Sequence, residues 1–465
     1  MLCFLLACLI NKTPAERWKQ VPIPVVPEAK TFHAPIPQRS TLPNGSTLLI
    51  LPKTKVPVVS LSIALPGGYL SDQEKWGRAS VVGELLGKSS GENNTGEHTK
   101  KLREQGAQID VTTTEQHTLL TLTVPKENLP KALPLLFDRI KSPQFNETDW
   151  TDFIRYRQIE LQHSYEDAQS LSYAMQFLLL YPKGHPRHRL TNGTPSGIAQ
   201  LDRAQSKEWH FSRLDLRKIG VLATGDVEEQ SLKELLIPHF ESWPNIQWNP
   251  PNLTWEGPLN KGVYFIDAPQ EQQSSIRVLI PAWKERDTSP SLKAQLLSIA
   301  MGGSFTSRLN AKLREEKGYT YGASCYFTQN DFGNILHVST SVQRDVTTLA
   351  TQDLIATLQS AQQGFSQEEW KKSKNTLRND IVSYFEKRTS LLSILDRTWR
   401  YQRTDTFFSE QLQHISTLDT SPPNNLGAYF NPAQGIILIL GSGAHIRESL
   451  QPLNVKEFDI TPYKK

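Results

Sequence analysis

Lys312-Leu313-Arg314-Glu315-Glu316-Lys317-Gly318 restates Lys101-Leu102-Arg103-Glu104-Gln105-Gly106, and that echo sets the architecture. Three further landmarks recur in the same order at nearly the same offset. Ser62-Ile63-Ala64-Leu65-Pro66 returns as Arg277-Val278-Leu279-Ile280-Pro281. Phe145-Asn146-Glu147-Thr148-Asp149-Trp150 returns as Phe365-Ser366-Gln367-Glu368-Glu369-Trp370, and Leu201-Asp202 as Leu418-Asp419. A repeat of domain size predicts two like halves, not a solenoid. Two such halves can face each other and enclose a cleft, and the residues lining it decide the function.

A chain of 465 residues exceeds what one hydrophobic core organises, so two or three domains are expected. Charged residues make up 21% and the mean hydropathy is −0.44, as in ordinary globular proteins. The net charge is +4, and no basic run is interleaved with aromatics, which argues against a nucleic-acid partner. No stretch approaches the roughly 20 apolar residues that span a bilayer.

The first eight residues read MLCFLLAC. Leu5-Leu6-Ala7-Cys8 resembles a bacterial lipobox, so residues 1–10 are expected to act as a signal segment with Cys8 as the lipidated residue. That places the protein in the bacterial cell envelope, on the periplasmic side, anchored to the membrane through lipid. The apolar run is short and lacks a positive n-region, defects that a start codon assigned too far downstream would explain. Residues 11–43 hold Pro14, Pro22, Pro24, Pro27, Pro35, Pro37 and Pro43, the composition of a tether. With Cys8 acylated, Cys325 stays free and no internal disulfide is expected.

Strands are expected over 46–51 and 58–65, the second rich in β-branched residues, after the Asn44-Gly45 turn. Apolar spacing predicts a helix over 77–86, a short helix over 98–105 ended by Gly106, and helices over 129–140 and 147–165. Asn146 is placed to cap the last of these. The first half then spans 44–243, a Pro- and Trp-rich linker 244–260, and the second half 261–460. Each half mixes antiparallel strands with long helices, so the fold class is α+β, with helices layered on a sheet in both halves.

The duplication, the loop Gly184-His185-Pro186 and the segment Ser307-Arg308-Leu309 through Leu313-Arg314-Glu315-Glu316-Lys317-Gly318-Tyr319-Thr320-Tyr321 resemble the pitrilysin/insulinase peptidases. The likeness is to the branch of mitochondrial and bacterial processing peptidases, and it runs from about Ser40 to Ile460. It implies a processing-peptidase-like fold of two homologous halves across a cleft. It also implies a zinc site built on H-x-x-E-H in the first long helix, completed by a downstream Glu. In such a site two imidazoles grip the metal and the internal Glu acts as general base.

The matching segment here is Ser80-Val81-Val82-Gly83-Glu84. Ser80 and Glu84 stand at the two His positions, Gly83 stands at the base, and Glu160 matches the downstream ligand. A serine hydroxyl is a poor zinc ligand, and glycine cannot take a proton from water. No catalytic residue and no metal of its own are therefore expected. A bland reading makes Glu84 and Glu160 solvated or mutually paired carboxylates; close approach would raise the pKa of one. Two other sites carry little support. His185 and His188 lack a third ligand, and Ser80 has no G-x-S-x-G context for a nucleophile.

The second half keeps what the first lacks. The resemblance assigns Arg314 and Tyr321 to substrate binding opposite the zinc. A guanidinium fork and a phenol can both hold peptide carbonyls or an oxyanion. The alternative is an Arg314 paired with surface carboxylates and a Tyr321 packed on the sheet. Gly302-Gly303 reads either as the family's Gly-rich loop or as a simple helix stop. Together these features imply the non-catalytic, substrate-binding subunit of a heterodimeric zinc peptidase, with zinc only in a homologous catalytic partner and an extended peptide as substrate. A lipid-anchored scaffold or peptide-binding protein on the same fold is the alternative.

Overall fold

Each copy of the repeat builds a six-stranded sheet in the computed structural model, which describes residues 32–464 except 89–94, 242, 244–245, 255–256, 258, 285–288, 329–332 and 424. The first sheet holds β1 (Gln38–Thr41), β2 (Thr47–Pro52), β3 (Val58–Pro66), β4 (Gln108–Thr113), β5 (His117–Pro125) and β6 (Gly220–Gly225), ordered β1-β2-β6-β3-β5-β4. The second holds β7 (Gly262–Asp267), β8 (Gln273–Pro281), β9 (Ala323–Phe327), β10 (Ile335–Gln343), β11 (Ile436–Gly441) and β12 (Lys456–Glu457), ordered β12-β7-β11-β8-β10-β9. Both pair one strand in parallel at the same place, β2 with β6 and β7 with β11, and continue antiparallel to the edge strands β4 and β9. The outer strands differ: β1 is antiparallel to β2, β12 parallel to β7.

The proline-rich tether expected over 11–43 ends early. Gln38–Thr41 is a strand registered on β2, with Arg39 opposite Leu49. The cause is the Asn44-Gly45 turn: Gly45 takes φ +87, which closes a hairpin and draws the preceding residues into the sheet. The lipobox with Cys8, and residues 11–31 of the tether, lie outside the described residues. Among the described residues no helix is long and apolar enough to cross a membrane.

Strand β3 shows why the sheets are two-faced. Val59, Leu61, Ile63 and Leu65 are buried in one core, while Ser60 and Ser62 turn to the other face and meet Thr123 (3.0 Å) and Thr121 (2.7 Å) on β5. Own helices cover the first kind of face. The helices that position the site are α1 (Arg78–Leu86), α2 (Glu147–Ser164), α3 (Ala168–Leu180), α4 (Ser289–Ser298), α5 (Gln367–Tyr384) and α6 (Arg388–Arg400). Asn146 does cap α2, accepting from Asp149 N at 2.8 Å, and its repeat counterpart Ser366 forms a full capping box with Glu369 on α5.

The halves exchange helices. Leu171, Met175, Leu178 and Leu179 of α3 share a core with Leu279, Ile436, Leu438 and Leu440 of the second sheet. In return α6 lies on β6, β2 and β3 of the first sheet. Gly220 is the seat of that contact, since a Cβ there would stand 2.5 Å from the Trp399 indole. Beside it the buried His117 Nε2 stands 2.8 Å from Asp396 Oδ1, and Arg400 reaches Asp396 Oδ2 at 2.6 Å. Burial alone would push the Asp396 carboxyl up; His117 and Arg400 hold it below its ordinary value. Residues from Pro35 onward thus form one unit.

Candidate functional site

Helix α1 carries the degenerate motif, and its start is fixed by Asp72. This buried carboxylate accepts from Ala79 N at 2.7 Å and from Gly77 N at 2.9 Å, satisfying donors that the helix leaves open. One turn further on, α2 crosses α1 and presents Arg157. Its guanidinium donates to Ser80 Oγ at 2.8 Å, to Glu160 Oε2 at 2.7 Å and to Glu84 Oε1. Ser80, Glu84 and Glu160 are therefore brought together, but around an arginine. Arg157 is 6% exposed, whereas the Glu84 and Glu160 side chains are 41% and 47% exposed.

Glu84 feels both of its charged neighbours on α2. Burial pushes the Glu84 carboxyl up, Arg157 draws it back, and Glu160 pushes it up again. The guanidinium joins α1 to α2 through charge-assisted hydrogen bonds at the point where the family resemblance puts a metal. These residues do not fit zinc: the donor set has no imidazole, and a permanent cation is already hydrogen-bonded to all three positions. Gly83 closes the question of the base. A Cβ at that position would stand 2.3 Å from Thr113 Oγ1 on β4, so the strand packs into the space a glutamate needs. Sequence reasoning missed Arg157. The available signal was its spacing, three residues before Glu160 and so on the same helix face.

His185 and His188 are loop struts. His185 stacks on Tyr181 at 4.1 Å and its Nδ1 accepts from Arg187 N at 2.9 Å; burial lowers its pKa to about 4. His188 Nδ1 meets Tyr181 O at 2.6 Å. Among the described residues no group of three or more His, Cys, Asp or Glu could hold a metal ion.

The second half offers an open surface instead. A cavity of about 680 Å³ is bounded by Gly302 and Gly303, Phe305, Arg314, Tyr321 and the edge strand β9. Helix α4 runs into a π-helical turn at Ile299–Gly303, and a second π turn at Ala311–Glu316 carries Arg314; such turns gather at functional sites. Gly302 is more than a helix stop. A Cβ there would stand 2.4 Å from Cys325 Cβ, so glycine lets the turn lie against β9. Asn310 anchors the start of that strand, donating to Ala323 O at 3.0 Å and accepting from Ala323 N at 2.8 Å.

Arg314 lies over the Phe305 ring at 4.2 Å and, among the described residues, forms an ion pair with its neighbour Glu315 at 3.4 Å. Tyr321 is 92% exposed and does not pack on the sheet. Gln169 at the start of α3 lines this cavity and a second one of about 360 Å³. Tyr173 and Asn192 continue from there into a third of about 380 Å³ that reaches Ser80 and Thr113. Arg314 and Tyr321 thus lie along one run of cavities that ends at the plugged site. Cys325, on the inner face of β9, is buried and free, and burial pushes its thiol far up, so it supplies no nucleophile.

Known proteins resemble this chain in sequence and in fold. Residues 48–176 match the profile of the insulinase family, peptidase family M16, and residues 200–377 match that of the M16 inactive domain. Two proteins of Helicobacter pylori are similar over most of their length. The non-peptidase homologue YmxG is 22% identical, over 68% of this chain and 74% of its own. The zinc protease PqqE is 23% identical, over 74% of this chain and 79% of its own. A crystal structure titled as a peptidase M16 inactive domain, from Pseudomonas fluorescens, superposes with a TM-score of 0.78 at 16% identity, covering 87% of this chain and 98% of that one. The chain belongs to the insulinase (M16) peptidase family, as a member that lacks the family's zinc-binding motif.

Proposed function

We propose that this chain is the non-catalytic subunit of a two-subunit zinc peptidase. It pairs with a homologous chain bearing an intact H-x-x-E-H and holds an extended peptide against its own second half. One observation carries the reading. The chain fills its own metal position with Arg157 yet leaves Arg314 and Tyr321 facing open space. A protein under no demand to hold a peptide has no use for an exposed phenol beside a guanidinium at the mouth of a glycine-lined cavity. The Helicobacter relatives support the division of labour, since one strain carries both a non-peptidase homologue and a zinc protease similar to this chain. Zinc belongs to the partner alone.

The test is to purify the chain alone and together with the zinc-bearing chain that co-purifies from the same cells, and to assay cleavage of unstructured peptides. The isolated chain is expected to be inert and the pair active. Hydrolysis by the isolated chain refutes the proposal; recovery with no zinc-bearing partner replaces it with the scaffold reading. A lipid anchor at Cys8 belongs to the same proposal and tethers the pair to the periplasmic face of a membrane. Cys8→Ser is expected to move the chain from the membrane fraction to the soluble one, and an unchanged distribution removes the anchor.

A further inference from the structure

One residue of the second sheet breaks the pattern of its strand. β8 runs Ile276-Arg277-Val278-Leu279-Ile280 between β11 and β10, and Ile276, Val278, Leu279 and Ile280 are buried. Arg277 turns to the opposite face from Ile276 and Val278, onto the wall of the 680 Å³ cavity. Its counterpart in the first half is Ser62, which needs only Thr121 across the strand. Opposite Arg277 stands Ser339, and the surrounding surface is Ser275, Ser324 and Ser341.

The guanidinium is held but not neutralised. It donates to Ser172 Oγ at 2.7 Å and to Gln169 O at 3.4 Å, and lies over the Tyr173 ring at 5.5 Å. Burial lowers its pKa, and only the tyrosines Tyr326 and Tyr173 oppose that. Among the described residues no carboxylate pairs with it, and no Asp or Glu lines the cavity. Arg277 is half-buried on a central strand, where a counter-ion would ordinarily be at hand. Arg314, across the same cavity, adds a second guanidinium. Donor hydroxyls, an Arg277 fork with no carboxylate partner and an Arg314 fork held only loosely by Glu315 at 3.4 Å make a surface complementary to carboxylate.

We infer that this cleft selects acidic segments: an extended peptide laid along β9 places a Glu or Asp side chain, or its terminal carboxylate, between Arg277 and Arg314. The inference rests on the reading of the cleft as a peptide-binding wall and names the substrate class. Arg277 is the specificity-determining residue, and no feature of the plugged site is involved.

Three fluorescent twelve-residue Gly/Ser/Ala peptides test it on the full chain, identical except for two central glutamates, glutamines or lysines. The glutamate peptide is expected to bind about tenfold tighter than the glutamine peptide, the worth of one charge-assisted hydrogen bond, with the lysine peptide weakest. The gap is expected to narrow as salt is raised. Arg277→Gln, which keeps a donor for Ser172, is expected to close most of the gap by weakening the glutamate peptide severalfold, the remainder being due to Arg314, while Arg277→Lys retains more of it; an undiminished gap in Arg277→Gln overturns the role of Arg277. Equal binding of the glutamate and glutamine peptides, or preference for lysine, overturns the charge selection but not the cleft. Failure of all three to bind overturns both.

Discussion

Arg157→Ala is expected to lower the stability of this chain by about 2 kcal/mol, because it removes the tie between α1 and α2 and leaves two carboxylates without their shared cation. Removing one partner of a fully buried pair costs more, but Glu84 and Glu160 are 41% and 47% exposed, and water takes over part of the lost interaction. A shifted urea midpoint at unchanged slope is the expected signature. The same arginine governs metal binding. Ser80→His, Gly83→Glu and Glu84→His together rebuild the motif, yet with Arg157 present the triple variant is expected to take up no zinc. A fixed guanidinium then confronts two imidazoles, and the new glutamate meets Thr113 Oγ1 at the point where even a Cβ stands 2.3 Å away. Adding Arg157→Ala and Thr113→Ala removes both obstacles. Elemental analysis of the purified variants decides: stoichiometric zinc in the triple variant shows that the arginine is no plug, and a wild-type midpoint in Arg157→Ala shows that it is no tie.

The part of the fold written in local pattern was legible. Repeated landmarks announced two like halves, and the β-branched and small apolar residues of 58–65 announced β3. The exchange of α3 and α6 was not legible, because Leu171, Met175 and Leu178 read alike whichever sheet they cover. Edge strand β4 was missed for a related reason. Its residues Gln108–Thr113 do alternate, but only Ile109 and Val111 are apolar and both are half-buried, so the stripe is short and faint. At the site, the absence of imidazole could be read directly, whereas the presence of Arg157 could not. A missing ligand is a property of one position, but a substitute cation is a property of two helices crossing. Arg277 had a local mark, a charge inside an apolar strand, and its meaning waited on knowing that no carboxylate answers it.

Arg314→Ala is expected to lower kcat/KM of the assembled pair by about 10- to 100-fold, and Tyr321→Phe by roughly tenfold, while the zinc content of the partner stays constant. The magnitudes follow from what each group can donate. Among the described residues Arg314 is held by the Phe305 ring and a 3.4 Å contact with Glu315, so little of its hydrogen-bonding capacity is spent on them. Tyr321, 92% exposed, keeps its hydroxyl for a ligand. Neither side chain supports the core, so neither change is expected to alter the unfolding free energy by more than about 0.5 kcal/mol, the range of ordinary surface substitutions. That separation makes the result interpretable, since lost turnover at unchanged stability and unchanged zinc can arise only where the peptide is held. The balance between KM and kcat then says how. A rise in KM alone means that the two groups grip substrate and transition state equally; a fall in kcat means that their hydrogen bonds strengthen as the scissile carbonyl gains charge. Wild-type kinetics in both variants would remove this half of the chain from the reaction altogether.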